Sequence, residues 1–340
     1  MKASTAKSPV PWFGGKQKLC ERICELFPAH DSYVEVFGGG GSVLFTKMPA
    51  TLEIYNDKDQ GLVTFFRLLR DRPEELVALL ELTPYSRAEW QLCRETWRNE
   101  DLDELERARR WFVVATQSFG GMVARGREGW GSGVRIWGAA GGPAGWKADR
   151  VAGADPPPDQ TEPAENGAGP NGERHHGRGW GGERLGRMHL SRAASNSNRI
   201  DNIWRFVERL RLVQIENLEW NKCIPRYDHE TALFYLDPPY VPRTRRAGGY
   251  DHELSIEDHE KLVVMILGLR GTAIVSGYDD PIYHRLVTDG GYSRYEYGVW
   301  STAGQRKSGN PRDRRREMIW ASPRAAAPTL FDHIDLGSTM

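Results

Sequence analysis

Short apolar runs bounded by glycine, proline and acid alternate along this chain with stretches of helical periodicity. Leu233-Phe234-Tyr235-Leu236 reads as a short buried strand, cut off by Pro238 and Pro239, which cannot donate to a ladder. Tyr33 to Val36 reads as another strand, running into Gly38-Gly39-Gly40-Gly41 and then a helical pattern from Ser42. Further strands are expected at Leu52 to Tyr55, Val213 to Glu216 and Thr272 to Ser276, with a hairpin from Tyr292 to Ala321. A helix is expected over about 16–27, and helices over about 61–119, where Leu76, Leu79, Leu80, Trp90, Cys93, Trp97, Trp111, Phe112 and Val114 recur at helical intervals. Ile200, Ile203, Trp204, Phe206, Val207, Leu210 and Leu212 predict one amphipathic helix. Ser255, with Glu257 and Asp258 behind it, predicts the start of another.

The chemistry gathers where these strands stop. Asp237-Pro238-Pro239-Tyr240 leaves a carboxylate, a stiff turn and an aromatic ring at the C-terminal edge of a sheet, where open α/β sheets bind ligands. Such a group suits a flat heterocycle with an amino group; a strand-ending turn is the alternative when it is read by itself. The glycine turn lets backbone approach a ligand closely. It lacks the Gly-x-Gly-x-x-Gly spacing, and no Gly-Lys-Ser/Thr follows, which argues against a phosphate cradle. Asp57, at the end of the second strand, stands where a ribose is usually gripped. The other reading is a helix N-cap, with Asp59 as the competing candidate.

Together these motifs resemble the Dam-like DNA adenine methyltransferases. The aromatic-x-Gly-Gly-Lys opening is met by Trp12, Gly14, Gly15 and Lys16, the glycine motif by Glu35, Phe37, Gly39 and Gly41, and the Asn-Asp element by Asn56 and Asp57. Asp-Pro-Pro-Tyr completes the order. Val36 departs from the pattern, where the family usually has proline. The resemblance implies a Rossmann-like class I methyltransferase sheet, α/β in class, with a C-terminal antiparallel hairpin and a helical, loop-rich target-recognition insertion. It implies S-adenosylmethionine as cofactor, held by Trp12, Lys16, Phe37, Gly39, Gly41, Asp57 and Asp237. Asp237, the Pro238 carbonyl and Tyr240 become the catalytic groups, acting on an adenine flipped out of double-stranded DNA.

Composition is consistent with an intracellular enzyme. The 340 residues suffice for a large domain with an appended module. No apolar stretch approaches the roughly 18 residues of a membrane helix, and the N-terminus lacks a signal-peptide core, so a cytoplasmic enzyme is expected. The four cysteines form no Cys-x-x-Cys pair and read as buried thiols. His175 and His176 have no partner ligands at useful spacing, so no metal is expected. Formal charge is zero, yet unevenly spread, and says little about a local DNA surface.

The expected organisation is a catalytic domain in two parts, 1–70 and 199–323, around a target-recognition region at 71–198, with a flexible loop over 140–175 and a tail at 324–340. From Gly120 the chain turns rich in Gly, Pro, Arg and Trp. Arg125, Arg127, Arg178 and Arg184 there, and Arg243, Arg245 and Arg246 after the tetrapeptide, are expected to contact DNA; a solvated loop is the plainer alternative for each. A palindromic target would favour a two-fold dimer. Methylation of the cytosine 4-amino group usually goes with serine at position 237, and protein glutamine methylation with asparagine. RNA methylation, or a binding protein that has lost catalysis, are the remaining alternatives.

Overall fold

The computed structural model describes residues 8–12, 14–118, 130, 192–244, 252–300 and 314–325, all within one compact unit formed by 1–132 and 190–340. Seven strands form one sheet: β1 (Ser32–Glu35), β2 (Leu52–Asn56), β3 (Val213–Glu216), β4 (Ala232–Leu236), β5 (Thr272–Tyr278), β6 (Ser293–Trp300) and β7 (Arg314–Ala321). Their order is β3-β2-β1-β4-β5-β7-β6. The first five run parallel, and β7 lies antiparallel to both β5 and β6. This is a Rossmann-like sheet closed by the antiparallel hairpin expected from the sequence. Its order reverses beside β1, between β2 and β4, which opens a crevice above the C-terminal ends of β1 and β4.

In the central strands β1, β2, β4 and β5 side chains alternate between two covered faces and are buried almost throughout, whereas β6 is largely exposed. Tyr33, Tyr55, Leu233, Tyr235, Ile274 and Ile319 pack on one side. They are covered by α1 (Cys20–Glu25), α2 (Gln60–Asp71), α3 (Pro73–Glu81), α5 (Glu104–Gln117), α6 (Arg192–Asp201) and α7 (Trp204–Leu210). Val34, Ile54, Phe234, Leu236, Val275 and Trp320 face the other way, under α8 (Trp220–Tyr227), α9 (Ile256–Leu267) and α10 (Pro281–Thr288). α4 (Arg87–Thr96) packs on α5 through Trp90, Cys93, Val113 and Val114. Ser255 caps α9 as expected, in a reciprocal capping box with Asp258.

Three expectations change in detail. No helix follows the glycine turn: Phe45 N–H donates to the Gly41 carbonyl and Lys47 N–H to that of Val43, and the segment then ends in turns. Pro49 keeps Met48 out of the helical region, and the glycines weaken the first turn. The helix expected over 16–27 contracts to Cys20–Glu25, halted before Pro28. The single amphipathic helix around Phe206 is two, broken at Asn202, whose side-chain amide donates to the Asn198 carbonyl at 2.6 Å. Among the described residues, no helix is long and apolar enough to cross a membrane. Cys20, Cys93 and Cys223 are buried and Cys24 half-buried, all as free thiols.

One buried ionic cluster ties the β1–β2 connection to α7. Glu53, on β2 and fully buried, accepts from Lys47 Nζ at 2.5 Å and pairs with Arg209. Lys47 also lies over the Tyr33 ring, 4.5 Å from its centroid. Removing one member of a buried cluster strands the others without compensation. Glu53→Ala should therefore lower the unfolding free energy by about 3–5 kcal/mol, measurable as an earlier midpoint in urea denaturation.

Candidate active site

The loops that leave β1, β2 and β3 are riveted by one buried amide. Asn56 Nδ2 donates to the carbonyls of Val36 and Leu218 at 2.8 and 3.1 Å, and its Oδ1 accepts from Leu218 N–H at 2.8 Å. The glycine turn lies on Tyr55, whose hydroxyl donates to the Gly39 carbonyl at 2.6 Å. A Cβ on Gly38 would sit 2.2 Å from that ring. Gly39 and Gly41 hold φ values of 49° and 68°, which other residues rarely adopt, and a Cβ on Gly39 would meet the Trp12 indole at 2.6 Å. These two glycines are required both by backbone conformation and by space.

Asp57 continues from β2 into the same crevice. Its Oδ2 accepts from Gly39 N–H at 2.7 Å and its Oδ1 from Asp59 N–H at 2.8 Å. The N-cap of α2 is Asp59, which accepts from Leu62 N–H at 2.9 Å, so Asp57 is left to the crevice. Burial pushes the Asp57 carboxyl up to about 6. Glu35 lines the same cavity, pushed up to about 8 by burial against the bonds it accepts from the Tyr33 hydroxyl at 2.9 Å and Leu44 N–H at 3.0 Å.

Lys16 is carried in by the turn at Gly14 (φ 74°) and is nearly enclosed. Its Nζ donates to Asp237 Oδ1 and Oδ2 at 2.6 and 2.7 Å, to the Tyr240 hydroxyl at 2.9 Å and to the Gly14 carbonyl at 3.1 Å. Burial opposes the charge on Lys16. Asp237, and after it Glu317, outweigh that and raise its pKa well above the ordinary value. Ser276, on β5, donates to Asp237 Oδ1 at 2.9 Å and shares a hydrogen bond of the same length with the Tyr235 hydroxyl. The Tyr240 ring is 9% exposed, lies 4.1 Å from the Tyr278 ring, and sends its hydroxyl proton to Glu317 at 2.9 Å.

Trp12, Lys16, Glu35, Phe37, Gly39, Asp57 and Asp237 line a single cavity of about 400 Å³, which extends to Trp220 and Leu254. That is within the range of small-molecule sites. Each residue expected to hold a cofactor lines it except Gly41, which turns the backbone two residues on from Gly39. Pro238 is buried behind Asp237. Arg243, expected on DNA, forms a two-pronged bond with the buried Asp280, Nε and Nη2 donating at 2.7 and 2.6 Å, and remains half-exposed. Arg125, Arg127, Arg178, Arg184, Arg245 and Arg246 lie outside the described residues, as do His175 and His176. Among the described residues, no cluster of potential metal ligands occurs.

Sequence reading missed Glu317, Ser276 and Tyr278. The first carries a visible signal: Glu317 shares a strand face with Ile319 and Ala321, so an acid falls on a covered face of a strand.

The sheet order and the crevice define a Rossmann-like methyltransferase fold. Residues 12–129 match the family model of the D12 class N6 adenine-specific DNA methyltransferases. It is 32% identical over 119 residues to the type II methyltransferase M1.LlaDCHI of Lactococcus lactis subsp. cremoris, covering 33% of this chain and 41% of that protein. It is 27% identical over 124 residues to the DNA N-6-adenine-methyltransferase of Escherichia phage P1, covering 36% of this chain and 16% of that one. The modification methylase StsI of Streptococcus sanguinis is 33% identical over 96 residues, covering 28% of this chain and 14% of its own length. The chain thus spans less than half the length of each of these relatives.

The raised Glu35 carboxyl has a pH signature. Unfolded glutamate loses its proton near 4.5 and the folded residue near 8, so the folded state binds more protons between them. Stability therefore falls as pH rises through that window. Glu35→Gln abolishes this contribution, and the Tm of the variant relative to the parent should climb steadily from pH ~5 to ~8 in thermal melts of the cofactor-free chain.

Proposed function

We propose that this chain transfers a methyl group from S-adenosylmethionine to the 6-amino group of a flipped adenine at a specific site in double-stranded DNA. The observation that carries this reading is Asp237, held by Lys16 and Ser276 at the end of β4, on the rim of a cavity built from the glycine turn. The adenine-specific family match over 12–129 supports it.

The cavity suits the cofactor. It combines a glycine turn with room for close approach, an indole over Gly39, and an Asp57 carboxylate with acceptor capacity beyond its two backbone bonds. Trp12, Lys16, Phe37, Gly39, Gly41 and Asp57 would hold S-adenosylmethionine, with Asp237 at its reactive end. When bound, the cofactor supplies a methyl group on a positively charged sulfur.

An adenine amino nitrogen is a poor nucleophile because its lone pair is spread into the ring. Acceptors on both its protons localise that pair on nitrogen. Asp237 Oδ2 and the Pro238 carbonyl are the proposed acceptors. Transfer would break the methyl–sulfur bond as the N–C bond forms, leaving a neutral thioether and a positive nitrogen, whose proton would pass to Asp237. Holding both reactants in line contributes much of the rate.

Flipping costs a few kcal/mol in lost stacking. Stacking on an aromatic ring returns about 1–3 kcal/mol, and Tyr240 is the proposed partner. Because that ring is 9% exposed and lies on Tyr278, receiving a base entails a shift of neighbouring side chains. The proposed setting is the cytoplasm, on DNA, with a two-fold dimer if the target is palindromic. The six arginines outside the described residues remain the proposed phosphate and base contacts.

Single-molecule sequencing of DNA from a methylation-free host expressing this chain, beside an Asp237→Ala control, tests the proposal. Modified adenines in one motif, absent from the control, are the expected result; unmodified adenines from a folded, cofactor-binding chain refute it. For the cofactor site, Gly39→Val should reduce S-adenosylmethionine affinity by at least about tenfold in calorimetry, since both φ and the Trp12 contact forbid a side chain there.

A further inference from the structure

A second carboxylate, assigned to no step above, faces the same ammonium. Glu317 comes from β7, the antiparallel strand, where it pairs in register with Tyr278. It is 3% exposed. Its Oε1 lies 3.3 Å from Lys16 Nζ, and its two oxygens accept the Tyr240 hydroxyl proton at 2.9 and 3.1 Å.

Counting donors shows what this arrangement does. An ammonium has three protons, and here they go to Gly14, Asp237 and Tyr240. The Tyr240 oxygen receives from Lys16 and passes its own proton to Glu317, so the bonds run in one direction, from Lys16 through Tyr240 to Glu317. A carboxylate has about four acceptor positions. On Asp237, Oδ1 takes Lys16 and Ser276 while Oδ2 takes Lys16 alone, leaving acceptor capacity on Oδ2. One buried positive charge thus stands between two carboxylates. With Asp237 as its sole counter-charge, Lys16 would neutralise the group that must attract the amino protons.

We propose that Glu317 is a positioning residue for methyl transfer: it shares the charge of Lys16 and fixes the Tyr240 hydroxyl, so that Asp237 keeps its acceptor strength for the substrate amino group. This rests on the methyltransferase reading of the site. Burial pushes the Glu317 carboxyl above its ordinary range; Lys16 pulls it back down and Asp237 adds to the rise. Glu317 touches neither the reacting nitrogen nor the methyl group and acts through Lys16 and Tyr240.

Glu317→Gln keeps one oxygen to accept the Tyr240 proton, removes the charge and puts an amide donor in place of the second oxygen. With S-adenosylmethionine and the DNA motif that the parent chain modifies, the single-turnover rate should fall about tenfold or more. The DNA KM and the cofactor affinity should stay near parental values, and Glu317→Asp should recover part of the rate. A parental rate in Glu317→Gln, or a loss confined to KM or cofactor affinity, overturns the proposal.

Melts of the cofactor-free chain test the shared charge without reference to activity. Lys16→Met leaves two carboxylates facing each other, so adding Glu317→Gln should raise the Tm of that variant. Where Lys16→Met alone is insoluble, a soluble double variant counts as that recovery. No recovery overturns the charge sharing. A folded parent chain that modifies no adenine overturns the proposed function, and the melts then decide for Glu317.

Discussion

Lys16 and Asp237 are 221 residues apart in sequence and 2.6 Å apart in space, and the edge of the sheet is organised around their bond. Each group is largely removed from water, so removing either leaves the other poorly compensated. The bond brings the segment before α1 across the end of β1 and against the end of β4. Gly14 turns the backbone so that the lysine enters, and the two prolines after Asp237 stop β4 where the carboxylate meets it. The cavity is the space left between these two arrivals and the glycine turn.

A second constraint acts on backbone alone. Asn56 spends its whole amide on the loops after β1 and β3, while Tyr55 and Asp57 take hold of Gly39 from either side. The loops on the β1 side of the switch point are therefore set by β2, whose residues point into them. The glycines supply the conformations that this gripping demands. Rigidity around the cavity comes from short polar bonds above the sheet, and the apolar faces below hold the strands from which those bonds extend.

Much of this was legible in the sequence, for reasons that differ by element. Strands such as β3 and β4 are marked by short apolar or β-favouring runs with abrupt ends, and the structure places them where those runs lie. Within each motif the expected residues stand together because a motif is local: a glycine turn or an Asp-Pro-Pro-Tyr acts through its neighbours in the chain, while the order of the motifs carried the resemblance that joined them. Helix ends were harder. The break at Asn202 depends on a side chain bonding back one turn, and the missing helix after Gly41 on a proline that a hydrophobic pattern does not register. Ser276, and the meeting of Glu317 with Tyr240, were hidden for a deeper reason. Their partners come from other strands, and strand order in space cannot be read from spacing along the chain.

The hairpin strand β7 inserts between β5 and β6, although it is the last of the seven to be made. A chain emerging from the ribosome can pair β1, β2 and β4 well before β7 exists, since earlier segments fold first during synthesis. Lys16 and Asp237 can then meet, but the seat of Glu317 beside them stays empty until the final strand slides into place. The charge arrangement around Lys16 is thereby completed only after β7 has been made, and a chain lacking that strand carries the glycine turn and the Asp-Pro-Pro-Tyr segment without it.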